Sequence, residues 1–395
     1  MSGLFVLFFV VLLALAAFTR EDFVLVLLYF LAGIYAINAW WSLQSLKRVR
    51  AQRIFTPRVF WGERTTVTME IYNSGSLPIP WLQAREALPM LLHPGGNTHE
   101  VLSLSGKKQH SFLYSLDCRH RGCFPLGPLD LFTGDLLGVS RTRKRSIPPD
   151  YLIVFPKIIP LSQPPLPSLS PLGTLRHKQP IFEDPSRARG KRDYISSDSL
   201  RRVDWKATAY LRRLVVKMYE PSIALSVMIF LNLNLEEYDI KFHSEMTELA
   251  IVAAASLANW VVNARQSVGL ATNGQDTLIN DTHSDVLLPS RGRTQLLRIL
   301  DTLARLRAAN AEPIVELIQR ESVHLGWGTT IIVLTNLPNE TLFDGLLQAR
   351  RRGLQPVLVL CGPVPELSAV QQKSRNLKIP FFHLMNEQDM DIWRR

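Results

Sequence analysis

The sequence predicts a multi-domain chain: an N-terminal transmembrane helical hairpin, an antiparallel β-sandwich, and a doubly wound α/β domain. Three observations predict it. Two long apolar runs open the chain, short alternating strands with turn residues follow, and strand-length and helix-length apolar segments then alternate to the end. Read onto the chain, these give a hairpin over 1–46, a sandwich over 47–160, a Pro-rich linker over 161–190 and a last domain over 191–395.

The first run carries no charged side chain from Met1 to Thr19. Arg20, Glu21 and Asp22 interrupt it, and a second run extends from Phe23 to Trp41. Each run approaches the ~20 residues that cross a bilayer core as a helix. A break this short leaves room only for a tight turn. Trp40 and Trp41 fall where an interfacial aromatic belt belongs. A cleaved signal peptide is the rival reading, and the second full-length run and the lack of an N-terminal cation weigh against it. Lys47, Arg48, Arg50 and Arg53 follow the second run, and the positive-inside rule then places the globular domains in the cytoplasm, at a bacterial inner membrane. The same four cations suit anionic lipid headgroups.

The formal charge of +11 admits nucleic acid, anionic lipid or an acidic protein as partner. The basic run Arg141–Arg145 lacks the interleaved aromatics that stack bases, so it reads as a solvated strand end and no nucleic acid is expected. Three cysteines, Cys118, Cys123 and Cys361, make no disulfide framework. The pair Cys118 and Cys123, with His110 or His120 nearby, lies at the edge of zinc-ligand spacing and has no second ligand pair. A hairpin turn with half-buried thiols is the simpler account.

From 54 to 160 the pattern is that of short strands. Thr66–Tyr72 alternates polar with apolar before the turn residues Asn73–Ser76; Val101–Leu104, Gln109–Leu116 and Tyr151–Phe155 read likewise. Prolines 160, 164, 165, 167, 171, 180 and 185 mark a semi-rigid connector. Beyond Glu220, strands are expected at 223–233, 268–272, 330–335, 355–360 and 380–384. Helices are expected at 243–265, 291–307, 312–323, 339–352 and 365–375. The helix over 243–265 is apolar nearly all round, and Glu245, Glu248 and Asn259 mark it as a buried core helix.

The densest pattern runs from Arg192 to Ala209, where Asp198 and Asp204 are expected to pair with Arg201, Arg202 and Lys206 beside Trp205. Arg192, Tyr194, Asp198, Arg201, Asp204, Trp205, Lys206, Ala207 and Ala209 match the hallmark of a bacterial family known as domain of unknown function fifty-eight, which the chain resembles. Ser197 stands at a usual glycine and Tyr210 at a usual arginine. The resemblance also takes in Arg121-Gly122, Leu126-Gly127-Pro128 and Asp135–Gly138, and with them nearly the whole chain.

The resemblance implies several things. The C-terminal half should be similar to a von Willebrand factor A domain. A MoxR-type AAA ATPase, and also a transglutaminase-like membrane protein, are implied as partners. The family's fold often holds Mg²⁺ on an Asp-x-Ser-x-Ser loop after its first strand. Here that loop reads Asn232-Leu-Asn234-Leu-Glu236, with Thr272 and Asn336 at the other ligand positions. Two aspartates have become asparagine and Glu236 restores one carboxylate, so no metal or other cofactor is expected.

No Gly-x-Ser-x-Gly, His-Glu-x-x-His or phosphate loop occurs, and an enzyme is not expected. Tyr194, Asp198, Arg201, Arg202, Asp204, Trp205 and Lys206 are therefore expected to form either a clasp between domains or a docking surface. The function expected is that of a membrane-anchored adaptor in the assembly or maturation of envelope or other protein complexes. The alternatives are a scaffold that binds anionic lipid or envelope precursors, and a hydrolase working around Asp198–Lys206.

Overall fold

The computed structural model describes residues 2–19, 22–92, 94–134, 143–162, 183–196, 198–221, 226–278 and 286–394. Ser197, Asp135–Gly138, Arg141, the start of the strand expected at 223 and prolines 164 to 180 lie outside them. The chain is multi-domain, with a β-rich N-terminal part and an α/β C-terminal part. One unit comprises Met1–Lys157 with Asp276–Asn280 and Leu300–Leu306; the other comprises Ile158–Gln275, Asp281–Ile299 and Arg307–Arg395.

In the first unit, helices α1 (Ser2–Thr19) and α2 (Asp22–Lys47) pack on each other. Strand β1 (Val49–Ile54) follows at once, then β2 (Arg58–Val59), β3 (Arg64–Asn73) and β4 (Ile79–Glu86). After these come β5 (Pro94–Gly95), β6 (His99–Leu104), β7 (Gln109–Asp117) and β8 (Gly122–Leu126). The series ends with β9 (Leu129–Thr133), β10 (Arg143–Ile147) and β11 (Asp150–Val154). They form sheets ordered β1-β3-β7-β5, β10-β9-β4-β6 and β2-β11-β8. In β3 every second residue from Thr65 to Asn73 turns inward, as the alternation demands. Val67, Met69 and Ile71 of one sheet meet Leu82, Ala84, Leu129 and Leu131 of the other in a single core.

Two arginines give this unit its polar ties. Arg145 on β10 donates from Nη1 to the carbonyl oxygens of Leu46, Lys47 and Val49 at 2.9–3.0 Å. It thereby satisfies carbonyls that the end of α2 leaves open, while staying exposed at the strand as the basic run suggested. Arg53 corrects a second expectation. It is not exposed beside Lys47, Arg48 and Arg50 but buried in the sandwich, on Glu86 at 3.0 Å and Asp150 at 2.9 Å. Alternation decides this: in β1, Val49 and Arg53 point inward while Arg50 points out. Gly127, of the Leu126-Gly127-Pro128 motif, has a φ of +111° and lies so close to Arg53 that a Cβ there would stand 2.5 Å from the guanidinium. In the same unit Arg121 donates to the carbonyl oxygens of Leu303 and Leu306, each at 2.9 Å. Cys118 is buried, which pushes its thiol up to about 11.

In the second unit, Ile158–Ser162 lies along the helix α4 (His243–Asn263): Ile159 N–H donates to Ser256 Oγ and Trp260 Nε1 to Ser162 O. Strand β12 (Glu183–Asp193) pairs antiparallel with β13 (Val215–Pro221), so the linker expected over 161–190 is corrected at its end, where 183–190 is strand. Charges, Pro185 and Gly190 hide that strand from any alternation rule. Helix α3 (Trp205–Leu211) lies between the two.

The main sheet contains β14 (Ser226–Leu231), β15 (Ser267–Thr272), β17 (Leu287–Ser290), β19 (Thr330–Thr335), β20 (Gln355–Cys361) and β21 (Phe381–Leu384). Its order is β17-β15-β14-β19-β20-β21, parallel except at β17. The short β16 (Gln275–Asp276) and β18 (Leu306–Arg307) pair separately. Helices α5 (Arg293–Arg305), α6 (Ile314–Glu321), α7 (Glu340–Arg351) and α8 (Leu367–Asn376) connect the later strands. Among the described residues α4 alone is long and apolar enough to cross a membrane, and 72% of that stretch is buried in the protein, as a core helix requires.

Candidate functional site

Two places in the second unit carry the residues singled out in the sequence. The first is the segment from Arg192 to Ala209. Arg192, at the end of β12, grips Asp198 through both guanidinium nitrogens at 2.6 Å, and Ile195 N–H donates to the same carboxylate at 3.1 Å. Asp204 is the N-cap of α3: its Oδ1 accepts from Ala207 N–H at 3.2 Å while Oδ2 meets Lys191 Nζ at 2.9 Å. The Arg192 guanidinium, then the Ile195 N–H, hold Asp198 below the ordinary carboxylate value. Lys191, then the Ala207 N–H, do the same for Asp204.

These pairings correct the expected ones. The close partners are Lys191 and Arg192 on the strand; Arg201, Arg202 and Lys206 are exposed, and Arg202 acts on Asp198 through its charge. Val203 is the anchor of the segment, buried and bridged to Val216. With the carboxylates turned inward to hold the loop, the outer face shows Ile195, Leu200, Trp205 at 66% exposure and Tyr210 at 87%. Tyr194 is half-buried, its N–H on Leu214 O. The segment thus separates into a braced inner side and an apolar, cationic outer one.

The second place is the crevice at the carboxyl end of β14, between β15 and β19. In this strand order the chain reverses direction there, where open α/β sheets take ligands. Asn232 is its hub. Its Oδ1 accepts from Asn234 N–H at 3.1 Å and from Asn273 Nδ2 at 2.9 Å. A backbone N–H can only donate, so the oxygen is fixed on that side and Nδ2 faces Glu237 Oε2 at 2.8 Å and Thr335 Oγ1 at 2.9 Å. Asn273 accepts from Leu233 N–H and donates to Glu312 O; Asn336 accepts from Asp239 N–H and donates to Cys361 O and Pro363 O. Tyr238 donates its hydroxyl to Asn232 O at 2.7 Å.

These residues do not fit a divalent cation. The asparagine oxygens are committed to N–H groups, and N–H donors fill the space a cation would need. Asn234 caps the turn Leu235–Glu237, and Thr272 Oγ1 accepts from Gly274 N–H. Glu236, expected to restore a carboxylate, is exposed; the carboxylate in the crevice belongs to Glu237. Glu237, Tyr238, Asn273 and Thr335 were missed because their place depends on that turn and on strands far apart in sequence. A buried hydrogen-bonding side chain next to each predicted position is the signal that was there to find.

Burial holds the Glu237 carboxyl above its ordinary value, against hydrogen bonds from Ile314 N–H and the Asn232 amide. The folded chain therefore keeps this proton where the unfolded chain has lost it. The resulting stability is full on the acid side and disappears as pH rises through the folded value. Relative to Glu237→Gln, the wild type is expected to gain melting temperature as pH falls from 7 toward the ordinary glutamate range. Parallel profiles for the two proteins would show that Glu237 does not titrate this way.

Residues 190–322 match the family model described as "Protein of unknown function DUF58". Over that segment the chain is similar to the DUF58 family. The match spans the braced loop and the hub of the crevice, and stops short of β19. No curated protein matches this chain in sequence. Among solved structures it is similar to an aerotolerance-related membrane protein from Bacteroides fragilis, at 12% identity over 43% of this chain and 95% of that one, with a TM-score of 0.32. It is also similar to the CARDB domain of a Pyrococcus furiosus protein, at 10% identity over 27% and 91% of the two chains, TM-score 0.19. Escherichia coli alpha-2-macroglobulin is a third, at 14% identity over 30% and 20%, TM-score 0.25.

Proposed function

We propose that this chain is a membrane-anchored interaction module whose outer signature face docks a cytoplasmic protein. The observation that carries the reading is the division of labour in that segment. Asp198 and Asp204 are spent on holding the loop, while Trp205, Tyr210, Leu200 and Ile195 stay exposed beside Arg201, Arg202 and Lys206. Trp, Tyr and Arg are the residues that dominate interface energetics. Exposed apolar side chains along α1 and α2, among them Val10, Phe18, Phe23, Val26 and Phe30, support an anchor of two spans in a bacterial inner membrane, with the remaining residues on the cytoplasmic side.

The family resemblance makes a MoxR-type AAA ATPase the expected partner, a transglutaminase-like membrane protein a further one, and a von Willebrand factor A-like domain the element that presents the face. The process served would be assembly or maturation of envelope or other protein complexes. The test is crosslinking in native membranes, detergent extraction, capture of the chain and mass spectrometry. Recovery of an AAA ATPase, reduced at least tenfold by Arg201→Glu, is the expected result. Arg201 is the informative position, since reversal at Asp204 would also uncap α3. Equal recovery with Arg201→Glu and Trp205→Ala would remove this face from the contact.

A further inference from the structure

The end of α2 is ringed by more cations than the sequence places beside it. Lys47 closes the helix, and Arg48 and Arg50 follow, all three exposed. The turn after β3 folds back onto this point: Ser74 donates to Arg48 O from its N–H at 3.0 Å and from its hydroxyl at 2.6 Å. Gly75 lies so close that a Cβ on it would stand 2.8 Å from Arg48 Cδ. The turn between β6 and β7 sits on that one in turn. Lys107 N–H donates to Gly75 O at 2.9 Å and Asn73 N–H to Lys108 O at 3.0 Å, while a Cβ on Gly106 would collide with Ser76 O.

Two tight turns therefore carry Lys107 and Lys108, both exposed, to the region where α2 ends. Among the described residues, none of Lys47, Arg48, Arg50, Lys107 and Lys108 has an ion-pair partner. Lys144, by contrast, is neutralised by Asp130 at 2.9 Å. Glu70, opposite Gln52 in register, lies two pairs beyond Arg50 and Tyr72, further along the strand from the helix. Five unpaired cations held together repel one another, and a surface that keeps them together needs anions from outside. The apolar helix they ring says which anions. Trp40 is exposed about two turns before Lys47, and Trp41 is tied by its Nε1 to Pro78 O at 3.0 Å, where a headgroup layer would begin.

We propose that Lys47, Arg48, Arg50, Lys107 and Lys108 form a docking surface for the phosphate groups of anionic phospholipids, drawing the two turns of the sandwich onto the bilayer. The proposal rests on the membrane reading of α1 and α2 and needs no protein partner.

The test uses the full chain reconstituted into nanodiscs of phosphatidylcholine and phosphatidylglycerol in equal parts, then released into detergent for native mass spectrometry of the lipids it retains. Retention of phosphatidylglycerol over phosphatidylcholine is expected. A cation near an anionic leaflet is worth about a fivefold change in affinity. The double variant Lys107→Asn, Lys108→Gln is therefore expected to lower the preference by roughly twentyfold. Asparagine suits the left-handed backbone at position 107, where φ is +56°, so the turn should persist. Arg50→Gln, on a different element, should lower the preference as well. Equal retention of the two lipids by the wild type would overturn the proposal, as would a preference that these substitutions leave untouched. A chain that never enters the nanodiscs would overturn the membrane reading and the docking surface with it.

Discussion

Arg53→Ala is expected to cost the sandwich about 3–5 kcal/mol, a large part of the ~5–15 kcal/mol that holds a typical domain folded. The Arg53 side chain is 3% exposed and Glu86 not at all, so truncation leaves a carboxylate inside the apolar core without its cation. Asp150, half exposed, turns to water at little cost. Burial already holds Glu86 above the ordinary glutamate value even with Arg53 beside it. In the variant the folded state would bind that proton more tightly still. Its stability should recover in acid and fall as pH rises through the folded value. Thermal melting of the full chain in detergent, with proteolysis of the sandwich as a second readout, measures this. The double change Arg53→Met, Glu86→Leu is expected to cost less than Arg53→Ala alone, because it removes the charge together with its need for a partner. A single variant as mild as the double one would show that the pair is dispensable.

Asn232→Asp is expected to cost at least about 3 kcal/mol at neutral pH. The change replaces two N–H donors with an anion facing Glu237, at the 2.8 Å now spanned by a hydrogen bond. Asn232→Ala, which removes the hub without adding charge, should cost about 2 kcal/mol. Mg²⁺ separates the possible readings of the crevice. The wild type should melt at the same temperature with and without it, since a cation that bound only the folded state at ~100 times its dissociation constant would add ~2.7 kcal/mol. Mg²⁺ should instead restore part of the stability lost in Asn232→Asp, because two facing carboxylates beside the Thr335 hydroxyl make the anionic oxygen set the present crevice lacks. A wild-type shift of that size would contradict a crevice filled by amides.

Much of the α/β part is legible in the sequence because buried parallel strands read as unbroken apolar runs; Ile331–Leu334 and Val357–Leu360 have no other use for such composition. The antiparallel edge strand Leu287–Ser290 was invisible, being four residues long and containing Pro289. In the sandwich, alternation exposed β3 and β7. Arg53 defeated the reading because a charge inside a strand looks like a surface residue until its buried partners are known. The signature segment shows a similar limit. Its aspartates are legible as structural, but their close partners Lys191 and Arg192 stand on a strand that composition disguises. At the crevice Asn232, Asn234 and Asn336 could be named from the chain, whereas Glu237 rather than Glu236 was decided by the phase of a single turn.

The three hydrogen bonds from Arg145 to the end of α2 have a mechanical meaning. A helix that enters a domain through a free linker can roll and tilt without disturbing it, like a mooring rope. Here the last turn is gripped by a strand on one side and continues into β1 on the other, with Trp41 fastened to Pro78 a little earlier. The joint is a welded bracket. If α2 spans a bilayer as proposed, a change of thickness that tilts it would be delivered to the sandwich as rotation, so the bearing of β1 and β10 to the membrane plane would depend on the lipid as well as on the protein. Arg145→Gln would loosen that bracket while leaving both its ends folded.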